Sequence, residues 1–463
     1  MYGAAKGETS MTAKRERWSG RTGFILANVA AAVGLGSIWK FPYEVGTNGG
    51  GNFVLCYIAG LILIVLPLML CELAIGRHGR SDAINSVAAV AASARASKWW
   101  ALFALLGVVT GMLILSFYSV IGGWALVYLI ETIWHGLPSQ DAASAKARFD
   151  AVLSSPGTLL IYHLAFMTIA VAIVARGVSR GIERASMILM PTLILLLTVL
   201  AIYSLARGGF WPTWNYLFAF DPSKITGKIA LEALGLGFFS IGVGLSIMIA
   251  YAAYADHNIN LKQVAALTLV SDTAVSFLAA FAIFPIVFAE NLDPSSGPGL
   301  VFITLPLAFS HMPLGTAASI AFFALLLVAA IGSAISFLEL ATTPLQHAIK
   351  CSRPTASIAC GAVCWTLGIV TVLSFNVWAE WFPLSFVPAF ARSNWFDLID
   401  HLTSNVLLPI GGFGIAVFVG WAVPRSMVAQ ELGLGGTMLN ALYVLLRYVA
   451  PIGIATASVA ILL

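Results

Sequence analysis

Runs of about twenty apolar residues recur along this chain, and a segment of that length with few charges is what crosses a hydrocarbon core. Eleven such runs can be read: 20–42, 52–75, 99–134, 158–175, 184–206, 228–254, 262–288, 315–349, 354–374, 402–422 and 438–462. Hydrophobic residues make up 60% of the 463 positions and charged ones only 10%, against about half and a quarter in a soluble domain. In a bilayer every backbone N–H and C=O must be satisfied within the protein, and helices do this segment by segment. The expected fold class is an all-α polytopic membrane protein with 11 transmembrane helices. The runs 99–134 and 315–349 are longer than one bilayer needs, so they should tilt or project into water.

Charge sets the orientation. Lys6, Lys14, Arg15 and Arg17 lie in a polar segment, 1–17. Arg77, Arg80, Arg95 and Lys98 share a later loop, as do Arg176, Arg180 and Arg184, and then Lys350 and Arg353. All fall on one side, which the positive-inside rule makes cytoplasmic. Residues 1–17 then read as a cytoplasmic tail before a retained span, with no cleavage pattern, and eleven spans put the C-terminus outside. The net charge of +4 follows from these loops and calls for no nucleic-acid partner. Cys56, Cys71, Cys351, Cys360 and Cys364 are odd in number and form no CxxC pair. They read as small buried hydrophobes rather than a disulfide framework or zinc site. His78, His135, His163, His257, His311 and His401 are expected mostly near loops or helix ends, solvated or packed, with no metal-ligand pair among them.

Two runs interrupt themselves. AAVGLGSIWKFP, residues 31–42, places Gly34 and Gly36 inside the first. GLGFFSIGVGLS, residues 235–246, does the same to the sixth. The two breaks begin two blocks of five helices each. Matched breaks of this kind point to inverted repeats with a binding site at the breaks. Unwound backbone at that depth is tolerated where it lines a cavity. Its carbonyls can hold a cation and its N–H groups a carboxylate.

The stretch RERWSGRTGFILANVAAAVGLGSIWKFPYEVGTNGGGNF, residues 15–53, resembles the opening of the neurotransmitter:sodium symporters. GR at 76–77, RGVSRGIER at 176–184, MPTL at 190–193 and GPGLVFITLP at 297–306 extend the resemblance in order along the chain. It implies the bacterial leucine-transporter fold. A single transporter domain, 18–463, would comprise repeat one (18–206), repeat two (228–422) and an extra helix (438–462). The missing twelfth helix is a variation that occurs in the family. The implied activity is sodium-coupled uptake of an amino acid, with no organic cofactor. The implied partners are the amino acid and the lipid bilayer, and the implied state is a monomer or weak homodimer in the bacterial inner membrane.

The resemblance also carries over site residues. The substrate carboxylate would meet the N–H groups of Leu35 and Gly36 and the hydroxyl of Tyr118. The amino group would meet the carbonyls of Ala32, Phe239 and Ser240. Gly34 stands where monoamine transporters have an aspartate, which would repel a carboxylate, so glycine favours an α-amino acid. Ala31, Leu35, Ile114, Phe239, Gly242, Val243, Leu245, Ser336 and Phe337 would enclose the side chain. Ile114 and Phe337 narrow that pocket and Gly242 opens it, which suits a neutral, hydrophobic or mid-sized amino acid.

One or two sodium ions are implied. The first would be held by Ala32, Ser37, Ser240 and Asp272, with Ser37 and Asp272 each replacing a family Asn. A carboxylate deep in an apolar helix is by default a functional residue. Chloride-dependent relatives hold chloride partly with a serine, here Ser276. Asp272 would stand in for that anion, making transport chloride-independent, and could take up a proton on the return step. The second ion would use Ala30, Val33, Ala329 and Ser333, with Gly332 where a side-chain oxygen is usual. Lys40 and Asp400 match the outer gate, Lys lacking the fork of the usual Arg. Phe239 and Tyr118 would form a thin aromatic lid over the substrate. Arg15 and Trp18 match the inner latch, whose acidic partner is replaced by His347, so that another carboxylate must serve or the latch is loose. A proton-coupled or sodium-independent transporter of the same fold is the alternative. An intramembrane enzyme lacks HExxH or a second deep aspartate, and a sensor that retained the fold would bind without accumulating substrate.

Overall fold

In the computed structural model residues 16–137, 141–219, 221–289 and 299–462 are described. They are helical, with no strands among them. Nine continuous apolar helices are long enough to cross a membrane. They are α2 (Gly51–Gly79), α3 (Lys98–His135), α4 (Pro156–Val174), α5 (Val178–Leu205), α7 (Leu261–Ala289), α8 (Gly315–Ile349), α9 (Arg353–Ser374), α10 (Trp395–Ala422) and α11 (Gly436–Thr456). Two broken segments bring the described spans to eleven. One is α1a (Arg21–Ala32) with α1b (Gly36–Thr47), bent by 51°. The other is α6a (Gly227–Ile241) with α6b (Ile247–Ala252).

Two helix starts lie six or seven residues earlier than those read in the sequence. The segment around Arg180 and Arg184 is not a loop: Val178–Glu183 forms a π-helical turn that leads into α5. α10 starts at Trp395 rather than 402, because Asn394 and Asp397 close a reciprocal capping box there. Charged and polar residues at a membrane surface can sit on a helix end as readily as on a loop, and hydropathy alone does not separate the two. His163 is packed, not solvated. It lies inside α4, fully buried, with Nε2 3.0 Å from the Trp365 carbonyl of α9. α3 and α8 each contain a 35-residue α-helix, about 52 Å at 1.5 Å per residue, so both extend past a hydrocarbon core of about 30 Å.

The packing sorts the spans into two groups. α8 lies most extensively along α3, and these two pack with α4 and α9. α2 packs against both halves of α6, and α7 against α5. α1a runs between α5, α7 and α8, which places the first break at the seam between the groups.

Candidate functional site

Each break has a local cause. Helix α1a ends at Val33, whose backbone is extended (φ −74°, ψ 104°) and whose N–H still reaches the Val29 carbonyl at 2.7 Å. The chain resumes as a π-turn over Gly36–Lys40. A Cβ on Gly34 would stand 2.2 Å from the Ser333 hydroxyl oxygen and 2.7 Å from that of Tyr118, so a larger residue between α3 and α8 would have to displace both hydroxyls. In the second break Gly242, Gly244 and Ser246 all have positive φ (74°, 87° and 68°). A Cβ on Gly244 would also lie 2.6 Å from the Leu408 carbonyl.

Between the breaks lies a buried polar cluster. Asp272 of α7 is fully buried and accepts hydrogen bonds from three hydroxyls. Ser37 donates to Oδ1 at 2.5 Å, Ser240 approaches both oxygens at 2.9 and 3.0 Å, and Tyr57 donates to Oδ2 at 3.2 Å. Ser37 and Ser240 are 3.1 Å apart. The structure thus brings together three of the four residues named for the first ion, on α1b, α6a and α7. Ser276, one turn beyond Asp272, is fully buried, and its hydroxyl has no hydrogen-bond partner among the described residues. The cluster is all oxygen, the donor type a hard cation requires. Each hydroxyl can donate to the carboxylate or turn its lone pairs to an ion. Residues 28–38 carry one further side-chain amide, Asn28, whose Nδ2 stays on the Phe24 carbonyl at 2.7 Å.

Beside this cluster the Leu35 N–H donates to the Tyr118 hydroxyl at 3.0 Å. Phe337 meets the Tyr118 ring edge-on at 5.6 Å between centroids. Ala31, Ile114, Val243 and Leu245 are buried around the break. Ser336 has its Oγ 2.8 Å from the Tyr251 hydroxyl of α6b. Of the residues named for the second ion, Ala30 lies against α8: a Cβ on Gly332 would be 2.9 Å from its carbonyl. Val33, Ala329 and Ser333 are buried as well.

Cavities lead from the site toward one face. A cavity of about 230 Å³ lies above Leu35, Tyr118 and Phe239 and is walled by Trp39, Phe396 and Asp400. It leads to a polar cavity of about 550 Å³ that includes Lys40, Glu44, Glu232 and Asp400. Lys40 Nζ is 3.9 Å from Asp400 Oδ2 and 4.5 Å from the centre of the Phe239 ring. At that length, and with both side chains part-exposed, the pair is weak. The opposite face is closed. Trp18 is buried and donates its indole N–H to the Tyr251 carbonyl at 2.9 Å. Tyr254 donates to Glu339 at 3.0 Å, and Arg353 pairs with Glu339 and, at 3.0 Å, with Glu16. Arg15 lies outside the described residues. His347 is 2.7 Å from Asp82.

Tyr57, Glu72 and Asp82 were not singled out in the sequence. Glu72 is fully buried and accepts the Gly244 N–H at 2.7 Å, which holds the second break. Its signal was available, since an acid within an apolar run carries the same implication as Asp272. Tyr57 gives no such signal, because a tyrosine on an apolar helix usually packs as a ring.

The family model described as the sodium:neurotransmitter symporter family matches residues 15–150 and 146–390. An uncharacterised sodium-dependent transporter of Bacillus subtilis, YhdH, is 36% identical over 95% of this chain and 96% of its own length. A sodium-dependent transporter of Haemophilus influenzae is 32% identical over 92% of this chain and 93% of its own length. The crystal structure of MhsT in complex with L-phenylalanine superposes with a TM-score of 0.89 at 40% identity, covering 96% of this chain and all of that one.

Proposed function

The chain belongs to the sodium:neurotransmitter symporter family, and on that premise we propose that it moves a neutral, hydrophobic or mid-sized amino acid into the cell. The motion is alternating access driven by sodium and independent of chloride. The observation that carries this reading is the buried Asp272 carboxylate, ringed by Ser37, Ser240 and Tyr57 beside two broken helices.

The first sodium is cargo held by the Ala32 carbonyl, Ser37, Ser240 and Asp272. The Tyr57 hydroxyl orients the carboxylate from the far side. The substrate carboxylate takes the Leu35 N–H, now on Tyr118, together with that of Gly36 and the Tyr118 hydroxyl itself. The amino group meets the carbonyls of Ala32, Phe239 and Ser240. Gly34 carries no side-chain anion, which removes an acceptor for a bare amine and a repeller of a carboxylate. MhsT, solved with L-phenylalanine, supports an apolar side chain in the pocket bounded by Ile114, Gly242, Val243 and Phe337. Asp272 supplies the fixed negative charge that makes chloride unnecessary. After sodium leaves inward, an unpaired buried carboxylate is costly, and a proton taken up for the return step removes that cost. Ala30, Val33, Ala329 and Ser333 would hold a second sodium. The protein works as a monomer or weak homodimer in the bacterial inner membrane, with its Trp18 face to the cytoplasm.

A proton-coupled cycle is the second reading. It is favoured by Asp272, which sits among hydroxyls that can hydrogen-bond a carboxyl in either protonation state, and by Gly332, which contributes no side-chain oxygen to the second ion. Equilibrium binding of labelled L-phenylalanine to purified protein separates the two. We expect binding in sodium chloride and sodium gluconate alike and its loss in potassium chloride. Equal binding in potassium would overturn sodium coupling.

A further inference from the structure

Asp82 lies on the loop between α2 and a surface helix, Ala83–Ser93, and N-caps that helix. Its Oδ1 accepts the Asn85 N–H at 3.1 Å, and its Oδ2 accepts the Asn85 amide at 2.6 Å. The cap fixes the carboxylate, whose side chain is 1% exposed. The same Oδ2 meets His347 Nδ1 at 2.7 Å, near the end of α8, where the imidazole is 47% exposed. This pair joins the group containing α2 to the group containing α8. Deeper on the same face the groups are joined by Tyr251 with Ser336 and by Tyr254 with Glu339. Asp82 with His347 is a more exposed rung of that series.

Other charged groups lie on the elements packed against α8, among them Lys98 at the start of α3. The chain before α1a offers Glu16 and Arg17, the loop after α6b Asp256 and His257, α5 Glu183 and α9 Arg353. The loop and surface helix of Asp82 offer Arg80 and Arg95, and α8 itself ends on Lys350. The acids among them are otherwise engaged. Arg353 holds Glu16 and Glu339, Arg17 lies 3.7 Å from Asp256, and Glu183 accepts from Ser19. Asp82 is therefore the carboxylate that reaches His347. Burial raises its carboxyl pKa, but the hydrogen bonds from His347 and Asn85 outweigh that and hold it below the ordinary carboxylate range, so it stays an anion across the physiological range.

We propose that Asp82 and His347 form the outermost inner latch of this transporter: the pair holds the inner face shut while His347 carries a proton and loosens when it does not. Protonation of the imidazole turns this hydrogen-bonded contact into an ion pair, so inward opening follows the pH on that side. Asp82 is a positioning residue, acting through α8 and touching no cargo. The inference rests on the alternating-access reading above.

The test reads the latch directly. Spin labels at Ser93→Cys and Lys350→Cys, with partly exposed Cys56 and Cys351 replaced by serine, report the distance between the surface helix and the end of α8. The full chain is measured at about pH 6 and about pH 8. We expect a longer mean distance at the higher pH, a long distance at both with His347→Gln or Asp82→Asn, and a short one at both with His347→Arg. Substrate efflux from proteoliposomes, at fixed outer pH, should rise about fivefold over the same inner range in the parent and stay flat in His347→Gln and His347→Arg. Distances that ignore pH, or a pH response that survives both His347 variants, would overturn the latch. Failure of substrate transport would instead strike the alternating-access reading, which the distance measurement does not use.

Discussion

Asp272 makes the sharpest demands at the scale of single residues. Asn in its place keeps size and polarity but removes the charge that a sodium ion would meet. Sodium-dependent substrate binding in Asp272→Asn should fall by tenfold or more, since a charge-assisted contact is worth about 1.5–3 kcal/mol. Tyr57→Phe removes one hydroxyl donor at 3.2 Å. It should weaken sodium by about tenfold, as a hydrogen bond to a charged group is worth about 1.5–3 kcal/mol. Titrating sodium against substrate binding checks both, and unchanged sodium affinity in Asp272→Asn would remove the residue from the ion site. Protons compete with sodium for the same carboxylate, so apparent sodium affinity should decline as the medium is acidified. Asp272 was legible in the sequence because an acid inside an apolar run is conspicuous. Tyr57 and the orientation of Ser336 toward Tyr251 were not, since both depend on how separate helices are rotated about their axes.

At the scale of elements, the breaks and the caps carry the argument. Gly244 combines φ +87° with a Cβ position 2.6 Å from the Leu408 carbonyl. Gly235, nine residues earlier in α6a, faces open space. Gly244→Ala should therefore destabilise the protein by more than about 3 kcal/mol. Gly235→Ala should stabilise it by about 0.5–1 kcal/mol, the usual gain of Ala over Gly in a helix. Thermal unfolding in detergent compares them, and similar effects would mean that the second break is not held in this form. Asp82→Ala should cost about 1 kcal/mol for the lost N-cap. The folded carboxyl titrates below its unfolded value, so its contribution is full above the ordinary carboxylate range and is lost as pH falls through the lowered folded value. The two breaks were readable from glycine spacing. The starts of α5 and α10 were not, because a π-turn and a capping box extend a helix into residues that hydropathy assigns to loops.

For the molecule as a whole, the apolar runs specified the spans, since crossing a bilayer leaves few alternatives to helices. Which spans pack together, and which face is closed, came only with the structure. Trp18, Tyr254 and Arg353 close one side, while cavities of about 230 and 550 Å³ open from the other. An ion pair as long as Lys40 to Asp400 holds that side only weakly, and Lys40→Ala should change substrate off-rates by less than about fivefold. Stopped-flow dissociation measures this. The most direct test of the whole account is uptake of radiolabelled amino acids into proteoliposomes, under an inward sodium gradient or an equal potassium one, at two pH values and with chloride replaced. Sodium-coupled transport predicts accumulation of an apolar amino acid that requires sodium and ignores chloride. Accumulation that persists in potassium and follows the proton gradient would contradict it.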